Sequence, residues 1–312
     1  MDVVKMVKGS LVALVTPMSD AGKIDYKALA EIIEQHAAAG TAALVVAGTT
    51  GESATMSAPE QAHLIRYVVD HCGGRMPVIA GTGANSTREA VELARVARDA
   101  GASSGLSVVP YYVRPNQEGM RRHFETVAVE TDFPQILYNI PSRVGADLHD
   151  ATVVALAQDP RIIGLKDATS DLARAARLFE QLPLGFGCYS GDDATTLAYM
   201  LLGGHGTISV AANVAPRAIA RLCALALDGD AKAARALNAH LLPLYEALSI
   251  DTNPIPVKYM MARLGWMPDG IRLPLVPLAA DKRAGVDAIL AQLAQWCDDM
   301  ADANARVQRG AR

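Results

Sequence analysis

Of the eight lysines in the chain, Lys166 alone falls between Lys27 and Lys232, and it directly follows the apolar run Ile162-Ile163-Gly164-Leu165. An ammonium group at a strand end that meets an apolar interior is desolvated. Its pKa falls, and the free amine can attack a ketone to form a Schiff base. The competing reading is a lysine turned outward and paired with a helix carboxylate. Alternation along one strand does not choose between the two faces.

Other reactive groups stand at the ends of similar runs. Leu137-Tyr138-Asn139-Ile140-Pro141-Ser142-Arg143 carries a phenol that can relay protons and an arginine that can grip a carboxylate with two hydrogen bonds. The plain alternatives are a core tyrosine with a satisfied hydroxyl and a surface arginine. Tyr111-Tyr112 adds two phenols after an earlier run. In Gly48-Thr49-Thr50-Gly51-Glu52-Ser53 the glycines permit a tight turn, whose N–H groups and hydroxyls suit a carboxylate or phosphate. An ordinary turn and helix cap would read the same way. No lysine follows the second glycine, which excludes a Walker loop.

A metal is not expected. The seven histidines (His36, His63, His71, His123, His149, His205 and His240) form no H-x-H or H-E-x-x-H pair. His205, in Gly203-Gly204-His205-Gly206, reads as structural. No cofactor motif appears.

The elements that position these groups are short apolar runs: Leu11–Val15, Ala43–Ala47, Val78–Gly81, Leu106–Val109, Ile136–Tyr138, Ile162–Leu165, Gly185–Tyr189 and Thr207–Val210. Apolar on both faces, they suit a buried parallel sheet. Helical periods lie between them. In Thr87–Ala100, Ala90, Val91, Ala94, Val96 and Ala97 oppose Arg88, Glu92, Arg95 and Arg98. Ser86 or Thr87 and Ser170-Asp171 are capping signals. Eight strands alternating strictly with eight helices predict an α/β fold, a (β/α)8 TIM barrel, over residues 1–229. A doubly wound sheet competes, but no G-x-G-x-x-G follows the first strand. Residues 230–300 read as a small all-helical C-terminal domain, with helices over 231–248, Val257–Leu264 and Asp281–Met300, and Ile271-Arg272-Leu273 too short to assign. Residues 301–312 read as a flexible tail.

Composition narrows the class. The chain has 312 residues, about two domains' worth. Its 29 Lys+Arg against 33 Asp+Glu leave a net charge of −4, which provides no electrostatic footprint for nucleic acid or an anionic membrane. With 51% hydrophobic and only 5% aromatic residues, the core must be aliphatic and globular. Apolar stretches such as Ala42–Ala47 fall far short of the roughly 20 residues a membrane span needs. Met1–Lys5 has no signal-peptide core. Cys72, Cys188, Cys223 and Cys297 form no C-x-x-C pair and read as reduced thiols of a cytoplasmic protein.

Four segments in order carry a family resemblance: Gly48–Ser53, Val109-Pro110-Tyr111-Tyr112, Leu137–Gly145 and Gly164-Leu165-Lys166-Asp167-Ala168-Thr169. With Ser190-Gly191-Asp192-Asp193 and Asn253-Pro254-Ile255-Pro256-Val257-Lys258, the chain from Gly9 to Gln295 resembles the 4-hydroxy-tetrahydrodipicolinate synthases (dihydrodipicolinate synthases), within the pyruvate-dependent class I aldolase or N-acetylneuraminate lyase superfamily. The resemblance implies condensation of pyruvate with L-aspartate 4-semialdehyde, a committed step toward diaminopimelate and lysine. It implies Lys166 as Schiff-base lysine and a proton relay of Tyr138, Thr49 and Tyr112, the last crossing from a neighbouring subunit. Thr50 would hold the pyruvate carboxylate and Arg143 that of the semialdehyde, with Gly191 and the Ile208 carbonyl at the floor. A homotetramer of two tight dimers is implied, with no cofactor. Ser53, Ala54, Asn85, Glu89 and Tyr111 match a lysine effector site, whereas Ala58 and Gln61 stand where strongly inhibited relatives often carry histidines. Asp167 replaces a commoner glutamate and Ser170 a common glycine. Sister aldolases, of the N-acetylneuraminate lyase or 2-keto-3-deoxy sugar-acid type, are the nearest rival and typically lack the arginine at 143. A non-catalytic barrel kept as a binding protein is the remote one.

Overall fold

The computed structural model describes residues 6–296. Cys297, the 301–312 tail and the Met1–Lys5 segment lie outside them. Eight strands, β1 (Gly9–Ala13), β2 (Ala43–Val46), β3 (Val78–Gly81), β4 (Ser104–Val108), β5 (Gln135–Asn139), β6 (Ile162–Asp167), β7 (Gly187–Ser190) and β8 (Gly206–Ser209), pair in sequence order. Every pairing is parallel, and β8 closes on β1 through Leu11 opposite Ile208. The result is the expected TIM barrel.

Several strands begin or end away from the bounds of their apolar runs. Gly9 and Ser10 join β1 because they pair with Gly206 and Thr207, while Val15 leaves the ladder and its N–H is taken by the Asn213 side chain at 3.0 Å. β6 continues through Lys166 and Asp167, so the lysine lies within the strand. Ladder hydrogen bonds are blind to side-chain polarity, which is why polar strand ends escape a pattern of apolar runs.

Strict one-to-one alternation also needs correction. The β5–β6 connection holds two helices, Pro141–Val144 and Asp150–Leu156, because Gly145 turns left-handed (φ 73°) and ends the first after one turn. Ser86 and Asp171 cap the helices Thr87–Asp99 and Leu172–Phe179 through the N–H groups of Glu89 and Arg174. Ala90, Val91, Ala94 and Ala97 are buried as the period predicts, but Val96 is only half-buried and borders a cavity. His205 accepts the Cys188 N–H on Nδ1 at 3.1 Å as it leads into β8.

Alternate residues point inward. Leu11, Ala13, Ala43, Val45, Ile79, Leu106, Ile136, Tyr138, Tyr189 and Ile208 form one inner cluster. Helices cover the outside. Beyond the barrel come helices Ala231–Leu248, Ile255–Arg263 and Ala280–Leu293. The last ends at Leu293, with Val286, Leu290 and Leu293 as its buried residues, and residues 297–300 of the helix expected to reach Met300 lie outside the described residues. These helices share one apolar core with the barrel: Leu44, Ile65, Leu222, Leu241, Met260 and Leu293 belong to one cluster.

Candidate active site

Parity on β6 is settled by its neighbours. Leu165 packs outward with Leu137, while Lys166 stands opposite Tyr138 of β5 and Tyr189 of β7, both members of the inner cluster. Lys166 therefore faces the barrel axis, and the outward, paired reading is excluded. Its side chain is buried, and Nζ lies 4.3 Å from the Tyr138 ring centroid. It enters a cavity of about 200 Å³ that Thr49, Thr50, Tyr138, Arg143 and Gly191 also line. Gly191 makes the room: a Cβ there would sit 2.8 Å from the Ala168 Cβ and 3.0 Å from Cε of Lys166.

Burial, opposed by the carboxylate of Asp193 and aided by Arg143, holds the Lys166 amine down to about 8. Near pH 7.5 roughly a quarter of such amines are neutral, against about 0.1% for an ordinary lysine. The amine is thus a competent nucleophile. Tyr138 is pushed up to about 12, chiefly by burial, with Arg143 and a side-chain hydrogen bond to Thr49 opposing. A phenol that stays protonated beside a neutral amine is equipped to donate a proton and take it back.

The loop after β2 is shaped by its surroundings. Ala47 takes a positive φ of 52°, and Gly81 must be glycine there because a Cβ would fall 2.0 Å from the Ala47 carbonyl oxygen. Thr16 Oγ1 donates to the Gly51 carbonyl at 2.8 Å, and the Glu52 N–H donates to that of Thr49 at 3.1 Å. Thr50 is buried, and its Oγ1 accepts from Asn253 Nδ2 at 3.0 Å. Arg143, on the one-turn helix, is exposed at the mouth and reaches the Asn253 carbonyl at 3.5 Å. Ser170, which stands where a glycine is common in the family it resembles, adopts φ 60°, a conformation that glycine enters without penalty.

Two expected site residues lie apart from this cavity. Tyr112 is 88% exposed with φ 70° and does not line it. Ile208 is buried in the inner cluster beneath it. The expected effector residues gather instead around a second, adjoining cavity of about 780 Å³, lined by Ser53, Ala54, Glu89 and Tyr111, and by Ala58 and Gln61. Asn85 does not line it and is tied to it only through a backbone hydrogen bond with the Tyr111 hydroxyl. Gln61 is buried and donates from Nε2 to the Ser53 carbonyl at 3.0 Å. Among the described residues no group of three or more His, Cys, Asp or Glu could hold a metal ion.

Comparison with known proteins accords with this geometry. The model of the dihydrodipicolinate synthetase family matches residues 6–293. The chain belongs to that family. It is 54% identical over 292 residues to the 4-hydroxy-tetrahydrodipicolinate synthase of Azoarcus sp. (strain BH72), covering 91% of this chain and 100% of that one. Among solved structures, the chloride-inhibited dihydrodipicolinate synthase of Acinetobacter baumannii, complexed with pyruvate, superposes with a TM-score of 0.90 at 45% identity, over 92% of this chain and 98% of that one. The enzyme of Cyanidioschyzon merolae, solved with lysine bound, gives a TM-score of 0.88 at 38% identity, over 92% and 98%.

Three features of this family member's site were given no role from sequence. Asp193 is half-buried, accepts from Ser209 Oγ and from the N–H groups of Val210 and Ala211 at 3.0 and 2.9 Å, and acts on Lys166 through its charge. Asn253 binds Thr50, as described. Lys258 is buried in an ion pair with Glu52. All three lie in segments that carry the family resemblance, and Lys258 adds a signal of its own, a lone lysine inside the apolar run Ile255–Met261.

Proposed function

We propose that this chain is a lyase that condenses pyruvate with L-aspartate 4-semialdehyde to 4-hydroxy-tetrahydrodipicolinate on the route to diaminopimelate and lysine. The observation that carries the reading is the buried amine of Lys166, facing a cavity beside Tyr138. Lys166 Nζ attacks C2 of pyruvate, and loss of water leaves an imine. Loss of a C3 proton then makes an enamine, whose C3 bonds to the aldehyde carbon of the semialdehyde. The semialdehyde's amino group attacks the imine carbon, closes the ring and releases the lysine.

Tyr138 shuttles protons through its hydrogen bond to Thr49, and Thr50 with nearby N–H groups holds the pyruvate carboxylate. Arg143, at the mouth, meets the carboxylate of the incoming semialdehyde. Gly191 gives the imine room, and the Ile208 carbonyl underlies it. Tyr112 completes the relay in a neighbouring subunit, a role supported by its exposure and its place outside its own cavity. The active species on this reading is a homotetramer of two tight dimers. The second cavity, around Ser53, Ala54, Asn85, Glu89 and Tyr111, is the effector pocket. Buried free thiols at Cys72, Cys188 and Cys223, and the absence of a helix long and apolar enough to cross a membrane among the described residues, support a cytoplasmic setting.

Borohydride reduction in the presence of pyruvate, followed by peptide mass mapping, tests the chemistry. A stable adduct is expected on Lys166, and one placed elsewhere overturns the mechanism. A coupled assay with aspartate semialdehyde separates this activity from that of the sister aldolases.

A further inference from the structure

Glu52 occupies an unusual position. It is a non-glycine residue with φ 61°, its side chain is buried, and both carboxylate oxygens are engaged. One accepts from Nζ of Lys258, itself buried, and the other from the backbone N–H of Arg272 at 3.0 Å. Both partners come from beyond the barrel, more than 200 residues along the chain. The same C-terminal stretch sends Asn253 to Thr50. Arg272 extends the attachment through a bidentate contact with Glu60 and a bond to the Thr55 carbonyl at 2.9 Å.

A desolvated ion pair is a poor way to gain stability, because apolar side chains of similar volume serve as well or better. What it supplies is a direction and a distance. From Glu52 these pass straight to the chemistry: its N–H donates to the Thr49 carbonyl, and Thr49 lines the lysine cavity together with Tyr138. We propose that Glu52 and Lys258 are positioning residues that clamp the Gly48–Ser53 loop from the C-terminal helices, setting Thr49 against Tyr138 and Thr50 against the pyruvate carboxylate. The inference rests on the function proposed above and extends it: the C-terminal helices become part of the catalytic apparatus although neither residue of the pair lines the lysine cavity. Arg143 reaches the Asn253 carbonyl and touches neither residue of the pair, so removing the pair is expected to act chiefly on the pyruvate half of the reaction.

The test is steady-state kinetics with both substrates on Glu52→Gln/Lys258→Met, which removes both charges together, and on Glu52→Asp, which keeps the charge but withdraws it by one methylene. Activities are expressed per folded molecule, from circular dichroism and thermal unfolding of the same samples. The expected signature is a fall in kcat of at least roughly 30-fold and a rise in pyruvate KM of roughly 10-fold, with semialdehyde KM within about twofold. A purely structural role would lower all activity in proportion to the folded fraction and move neither KM, and that result overturns the clamp. So does a folded double variant with kcat and pyruvate KM within about threefold of the parent. If the double variant does not fold, Glu52→Asp decides by the same criteria. Borohydride trapping on the parent protein separates the two levels. Pyruvate captured on Lys166 with unaltered variants rejects the clamp alone, whereas no capture in the parent rejects the underlying function.

Discussion

Tyr138 and Lys166 are register partners across β5 and β6, and the lysine Nζ stands 4.3 Å from the centroid of the phenol ring. Neighbouring strands of a sheet lie just under 5 Å apart, so two inward-facing residues in register must share the same pocket. The amine and phenol proposed as nucleophile and proton donor are thereby fixed by backbone hydrogen bonds, with no reliance on a flexible loop.

That placement makes Lys166 a destabilising residue. Its folded pKa, about 8, lies below the ordinary lysine value of 10.5. Below pH 8 both folded and unfolded states carry the proton, and the folded state bears the whole desolvation penalty. Between 8 and 10.5 only the unfolded state binds the proton, so the penalty fades as pH rises. Lys166→Met is therefore expected to abolish turnover yet stabilise the fold at pH 7, by up to about 3 kcal/mol, with a gain that shrinks by pH 9.5. Urea unfolding of both proteins at the two pH values measures it, and a variant less stable than its parent at pH 7 contradicts it.

Arg143→Ala should divide the two substrates. Losing a charged, bidentate partner is expected to raise semialdehyde KM by about 10- to 100-fold while pyruvate KM stays within about threefold. Initial rates with each substrate varied in turn measure the split, and equal increases would remove the assigned role.

Gly191→Ala puts a methyl group 2.8 Å from the Ala168 Cβ and 3.0 Å from the Lys166 Cε. Both neighbours stand at or just beyond the end of β6, so little can yield. Crowding of this kind should displace the amine and slow borohydride-trapped imine formation by roughly tenfold or more. Trapping at the parental rate would mean that the lysine does not need this space.

Feedback by L-lysine is expected to be weak or absent. Glu89 and Tyr111 line the second cavity, but Ala58 offers no side-chain hydrogen bond, and Gln61 is buried with its amide committed to the Ser53 carbonyl. Allosteric coupling is typically only about 1–3 kcal/mol, so one or two missing contacts remove most of it. Initial rates at saturating substrates with rising lysine decide the point, and strong inhibition below millimolar lysine would refute it.

Much was settled by sequence order alone. Eight apolar runs separated by helical periods dictate an alternating parallel barrel, because strands covered by helices on one side and a packed barrel on the other must be apolar on both faces. A solitary lysine closing the sixth run marks the amine proposed as nucleophile. The same double-sided apolarity erased the alternation that would have told inward from outward, so only the ladder register, Lys166 against Tyr138 and Tyr189, decided which way the amine points. Strand ends such as Gly9-Ser10 and Lys166-Asp167 were also invisible, since ladder bonds are made by the backbone whatever the side chain. The Glu52–Lys258 pair joins residues 206 positions apart. Neither its burial nor its partner follows from local sequence, because both come from how the C-terminal helices close over the barrel rim.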